Sequence, residues 1–145
     1  MNKDQRDWLR ALRSGEYPQA KGAMRRTIGA NKLTYCCLGV ECVLHYDEGE
    51  VEWAEGGGSG LHVGGEYYTA ELPPELMERL RLTHVDTETL AELNDGDFTF
   101  EDIADILEHT FKDGSIDVAV AACELGLTRT DSLRHDARVV GGAGA

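Results

Sequence analysis

Within the eight residues Tyr35-Cys36-Cys37-Leu38-Gly39-Val40-Glu41-Cys42 the chain changes its period. Leu33 to Cys36 reads as the second arm of a hairpin, with Ala23 to Thr27 as the first and a turn around Gly29-Ala30-Asn31 between them. From Cys37 to about Tyr46 the spacing is helical, with Leu38, Cys42 and His45 or Tyr46 following one another around one face. A strand must therefore pass into a helix with no linker. Small thiols suit such a corner, and Gly39 admits a close backbone approach.

The remaining elements follow from caps and breakers. Asn2 with Gln5 three residues on opens a first helix whose apolar stripe is Trp8, Leu9 and Leu12, and Ser14-Gly15 ends it. Val51 to Ala54 and Glu66 to Ala70 read as short strands, separated by the flexible run Gly56 to Gly60, with Leu61-His62-Val63 as a possible third. Pro73-Pro74 opens a helix that turns Leu76, Met77 and Leu80 inward. Thr87 is expected to cap a short helix ending near Leu93, and Asn94 to Asp97 to form a turn. Thr99 and Asp102 form a capping box ahead of Phe100, Ile103, Ile106, Leu107 and Phe111. Ile116, Val120, Cys123 and Leu127 suggest a last helix. Strands first and helices after them, without regular alternation, predict an α+β fold: an N-terminal helix, a small antiparallel sheet of short strands and a helical C-terminal half.

At 145 residues a single domain is expected, residues 1–127, followed by a polar, Gly-rich and mobile stretch, 128–145. A chain of this length buries roughly two-thirds of its unfolded surface, enough for a core without staples. No apolar run approaches the roughly 20 residues that cross a bilayer, and the charged start has no apolar segment after it, so neither a membrane span nor a secretory signal is expected. Of the four cysteines two are adjacent and could bridge each other only with strain, which suggests reduced thiols in a cytosolic setting.

Charge is divided unevenly. Residues 1–35 hold eight lysines and arginines against three acids, whereas 41–78 hold ten acids and 86–108 nine, with no lysine or arginine in either stretch. A net charge of −13 argues against direct nucleic-acid binding and favours basic partners. Against that background Tyr17, Gln19, Lys21, Arg25 and Arg26 stand out as a candidate ligand-binding cluster. Strand alternation would put Lys21, Ala23 and Arg25 on one face, where converging cations bind phosphate and an adjacent aromatic ring stacks on a base. The alternative is a solvated basic strand paired with the protein's own acids.

The signature Tyr35, Cys36, Cys37, Leu38, Gly39 and Cys42 reads as structural. A nucleophilic reading exists, because a helix N-terminus lowers a thiol's pKa, but His45, His62, His84, His109 and His135 form no Cys/His grammar with it. Adjacent cysteines without a C-x₂-C pair argue against zinc. No phosphate loop, G-x-S-x-G or H-E-x-x-H occurs. No cofactor or metal is expected.

Several segments together, Arg13-Ser14-Gly15-Glu16-Tyr17-Pro18-Gln19, Lys21-Gly22, Cys36 to Val40, Leu72-Pro73-Pro74-Glu75-Leu76, Leu93-Asn94-Asp95 and Phe100-Glu101-Asp102-Ile103-Ala104, run in an order that resembles a set of small tailed-bacteriophage proteins, most of them uncharacterised. The similarity covers roughly residues 5–110 and departs at Glu41, where an apolar residue is expected, and after Lys112. It implies a phage accessory protein in the host cytoplasm, in the manner of counter-defence factors. Three functions follow as expectations. The first is sequestration of a small anionic ligand such as a signalling nucleotide, without catalysis. The second is an acidic inhibitor that mimics nucleic acid and occupies a basic host protein. The third is a cysteine-dependent enzyme. A homo-oligomer would suit the first.

Overall fold

In a computed structural model, which describes residues 1–54 and 60–126, the chain forms six α-helices and two small antiparallel sheets. The glycine run from Gly56 to Ser59, Leu127 and the stretch 128–145 lie outside the described residues. The architecture is α+β, as the order of elements predicts, but its strands form two separate sheets where one was expected.

Helix α1 (Lys3–Ser14) begins on the Asn2/Gln5 capping box and ends on Gly15 in the left-handed region. Its stripe, Trp8, Leu9 and Leu12, is buried. Strands β1 (Arg25–Ile28) and β2 (Lys32–Tyr35) form the hairpin, with Arg25 opposite Tyr35. The segment before β1 also joins it: the Ala20 N–H donates to the Tyr35 carbonyl at 2.7 Å, and the Tyr35 N–H to the Pro18 carbonyl at 2.9 Å. Helix α2 (Cys37–His45) starts directly off β2.

A 3₁₀ turn at Glu48–Glu50 leads into a meander of β3 (Val51–Trp53), β4 (Leu61–Val63) and β5 (Glu66–Tyr68). Helix α3 (Pro74–Leu80) has Pro74 as its first residue and buries Leu76 and Leu80, with Met77 partly covered. Helix α5 (Phe100–Asp113) starts on the Thr99/Asp102 box and buries all five expected apolar residues.

Three expectations fail in the C-terminal half. Helix α4 runs His84–Asp95, and its cap is Thr83, boxed with Asp86; Thr87 lies buried inside it, bonded to the His84 carbonyl. Asn94 and Asp95 close this helix and do not form a free turn. Helix α6 (Val118–Glu124) is phased by its Asp117 cap, so Val118, Ala121 and Ala122 face the core while Val120 and Cys123 are exposed. Counting the stripe from Ile116 misplaces it because Ile116 precedes the cap. No helix among the described residues is long and apolar enough to cross a membrane.

Candidate functional site

The signature corner is built from its thiols and one amide. Cys36 is the N-cap of α2: its Sγ accepts the Gly39 N–H at 3.4 Å, the place a serine or aspartate oxygen would normally take. Cys37 is enclosed. Its carbonyl accepts the Trp8 indole N–H at 3.0 Å, its N–H donates to Asn94 Oδ1 at 3.1 Å, and its thiol points at the Leu90 carbonyl 3.7 Å away. A methyl on Gly39 would stand 1.9 Å from the Met24 carbonyl oxygen, so only glycine fits under the hairpin. Burial pushes the Cys36 thiol up to about 11 and those of Cys37 and Cys42 well above their ordinary value. The pull of the helix terminus is real but smaller than the desolvation it opposes, so the three thiols keep their protons at neutral pH. Among the described residues no cluster of His, Cys, Asp and Glu could hold a metal ion.

Asn94 is the hub that sequence reasoning missed. Fully buried, it accepts from Cys37 N–H and from Gln19 Nε2 (3.0 Å), and its own amide donates to the Ala20 carbonyl at 2.7 Å. It thereby ties α1's exit loop and the signature to the end of α4. A hydrophobic residue followed by Asn-Asp is a common turn string, and nothing in it shows that the amide is turned inward.

The structure divides the expected basic cluster. Gln19 spends both amide hydrogens internally, on Asn94 and on the Phe98 carbonyl (2.9 Å). The Lys21 ammonium caps α4 by donating to the Gly96 carbonyl. Gly22, at φ +77°, breaks the extended run before β1 begins at Arg25, so Lys21 and Arg25 do not share a face as alternation predicted. Arg25 and Arg26, being neighbours on a strand, point to opposite sides. Tyr17 meets Tyr35 edge-on, with 5.7 Å between ring centroids.

Arg25 and Tyr35 instead open into a cleft of about 410 Å³ between the hairpin, the end of α2 and β3. The Arg25 guanidinium lies 4.9 Å from the centre of the Trp53 ring, and Tyr35 and Tyr46 form the remaining aromatic wall. The Tyr46 hydroxyl donates to Glu75 Oε1, which fixes the ring; burial first and then that carboxylate raise its pKa. Glu48 stands at the rim. Val51 and Trp53 line the cleft from β3, and Glu52 between them is part of the lining as well. The cleft is therefore lined by one cation, three aromatic rings and two acidic residues.

Residues 1–78 match a domain of unknown function, DUF8296. That is more than half of the chain. The protein belongs to the DUF8296 family. The DUF8296 portion runs from α1 into α3 and so contains every wall of the cleft, while Asn94 and the α4 terminus lie beyond it. No curated protein and no solved structure matches the chain.

Proposed function

We propose that this protein binds and sequesters a small, ring-bearing anion of nucleotide type in the cleft between its two sheets. One observation carries the reading: a guanidinium stacked on Trp53 inside an aromatic cleft of about 410 Å³, a size within the roughly 300–1,000 Å³ typical of small-molecule sites. A planar ring stacks on such walls, and a cation beside the stack takes a carboxylate or a phosphate. With a single arginine beside two acidic residues, Glu48 and Glu52, the cleft suits one anionic group better than a polyphosphate.

The resemblance to phage accessory proteins supplies the setting: a counter-defence factor in the host cytoplasm, removing a signalling molecule by occupancy alone. Against the inhibitor reading, much of the acidic content is used internally. Asp86, Asp95 and Asp102 hold backbone N–H groups, and Asp105 and Glu108 pair with Arg13. Against the enzyme reading, the signature thiols are protonated and enclosed.

The test is native mass spectrometry of protein isolated from a host with active nucleotide signalling, followed by titration of the apo protein with 5′-mononucleotides. Arg25→Ala is expected to weaken binding by about 1.5–3 kcal/mol, the range for hydrogen bonds to a charged group. Lys21→Ala, whose ammonium caps a helix elsewhere, should leave affinity unchanged. Equal losses in both variants would return the site to the undivided basic cluster. Binding that survives Arg25→Ala would remove the cleft from consideration.

A further inference from the structure

Behind the cleft, on the other side of the same two strands, lies a smaller cavity that the nucleotide reading leaves unused. Alternation sends Arg25 and Tyr35 into the cleft and their neighbours Met24 and Cys36 the opposite way. There they form the floor of a cavity of about 250 Å³, completed by Ala23, Ala70 and Ala91 and rimmed by Gly22, Thr69 and Asp95. The floor is apolar and soft, with a thioether and a protonated thiol. The volume falls below the roughly 300–1,000 Å³ of sites for drug-sized molecules, so the occupant is smaller than a nucleotide.

The rim carries one charged residue, Asp95, and a second of opposite sign, Arg26, lies beside Gly22 just outside the lining. Asp95 Oδ1 accepts the Gly22 N–H at 2.7 Å, which fixes the carboxylate at the mouth. Arg26 approaches from the other direction, its Nη2 only 3.7 Å from where a Cβ on Gly22 would stand. No ion pair joins the two side chains, although they flank the same residue. Lys21, next in the chain, is bonded to the Gly96 carbonyl. A molecule with one positive and one negative group close together, and a short apolar branch, matches this arrangement at three points. The ammonium meets Asp95, the carboxylate meets Arg26, and the branch fills the space over Met24 and Ala91.

We propose that this cavity is a second binding site, independent of the cleft, for a small zwitterion of the apolar α-amino-acid class. The test follows an isotope-labelled full-length chain by NMR while L-leucine, L-leucinamide (no carboxylate) or isocaproate (no ammonium) is added. L-Leucine is expected to shift the amide signals of Gly22, Ala23 and Ala91. Asp95→Asn keeps an acceptor for the Gly22 N–H but removes the charge, so it should weaken leucine and leucinamide by about tenfold and spare isocaproate. Arg26→Ala should do the reverse, weakening leucine and isocaproate about tenfold and sparing leucinamide. Both positions are exposed, and the same spectra report whether the variants are folded. No movement of these amides at about 10 mM leucine, or charge variants that fail to discriminate among the three probes, would overturn the proposal.

Discussion

A thiol in the place of a capping hydroxyl is a testable substitution. Cys36 Sγ reaches the Gly39 N–H across a long, weak contact, and serine is among the best N-caps. Cys36→Ser is therefore expected to hold stability within about 1 kcal/mol of the parent, whereas Cys36→Ala should lose about 1 kcal/mol with the cap; urea melts of the pair decide it. At position 37 a serine hydroxyl in an apolar corner would be penalised if it lacked a partner. The Leu90 carbonyl, 3.7 Å from the thiol, is such a partner, so the penalty reduces to a shorter reach. Glu41 is the other residue whose environment matters more than its identity. It sits on α2, only 3% exposed, where an apolar side chain was expected. Burial, and then the neighbouring carboxylates Asp4 and Asp7, raise its pKa to about 8, with Arg79 pulling the other way. The folded protein thus keeps a proton that the unfolded chain releases near the ordinary value of 4.5. Stability should fall as pH rises between those two values and level off above the upper one. Glu41→Gln removes the slope: it should stabilise the protein by on the order of 2 kcal/mol at pH 7 and by almost nothing at pH 4.5, as denaturant midpoints at the two pH values would show.

Between elements, buried polar side chains do what short strands and loops cannot. Asp86 closes the box on Thr83 with one oxygen and accepts the Val118 N–H at 3.0 Å with the other, so the starts of α4 and α6 share a single carboxylate. Asn94 plays the same part for the signature corner and the 17–20 segment. Asn94→Ala would leave the Cys37 N–H, the Ala20 carbonyl and the Gln19 amide short of partners at a buried site. A loss of about 3 kcal/mol or more is expected in equilibrium unfolding, larger than for Gln19→Ala, which strands fewer groups. At the same scale the sequence is legible where an element announces itself locally. The capping boxes at Asn2 and Thr99, Pro74 at N1 and the stripe of α5 all stand as written. It fails at α4 and α6, where the deciding cap is one of several nearby polar residues. Yet at α4 Thr83 with Asp86 repeats the Thr-x-x-Asp box of Thr99 and Asp102, whereas Thr87 has Leu90 three residues on, so the local pattern itself favours the first.

Across the whole molecule the cleft depends on two sheets that are distant in the chain. Arg25 comes from one and Trp53 from the other, and their contact at 4.9 Å has no sequence spacing to betray it. Trp53→Ala should weaken mononucleotide binding by about 1–3 kcal/mol, as loss of a base-stacking ring does, with little change in unfolding free energy because Trp53 is only partly buried. Calorimetric titration beside a melt separates the two effects. By itself the chain determined its α+β class, the handover from strand to helix at Tyr35–Cys37 and most helix boundaries, because each follows from period and caps acting over a few residues. The demand for glycine at position 39 comes instead from the Met24 carbonyl packed over it. Tertiary structure alone decided which of the basic residues face one another. Gly22 breaks the extended run, strand alternation separates Arg25 from Arg26, Lys21 turns to the exposed Gly96 carbonyl, and Gln19 turns to the Asn94 amide more than seventy residues away, because a buried polar group left unpaired costs more than a side chain withdrawn from solvent.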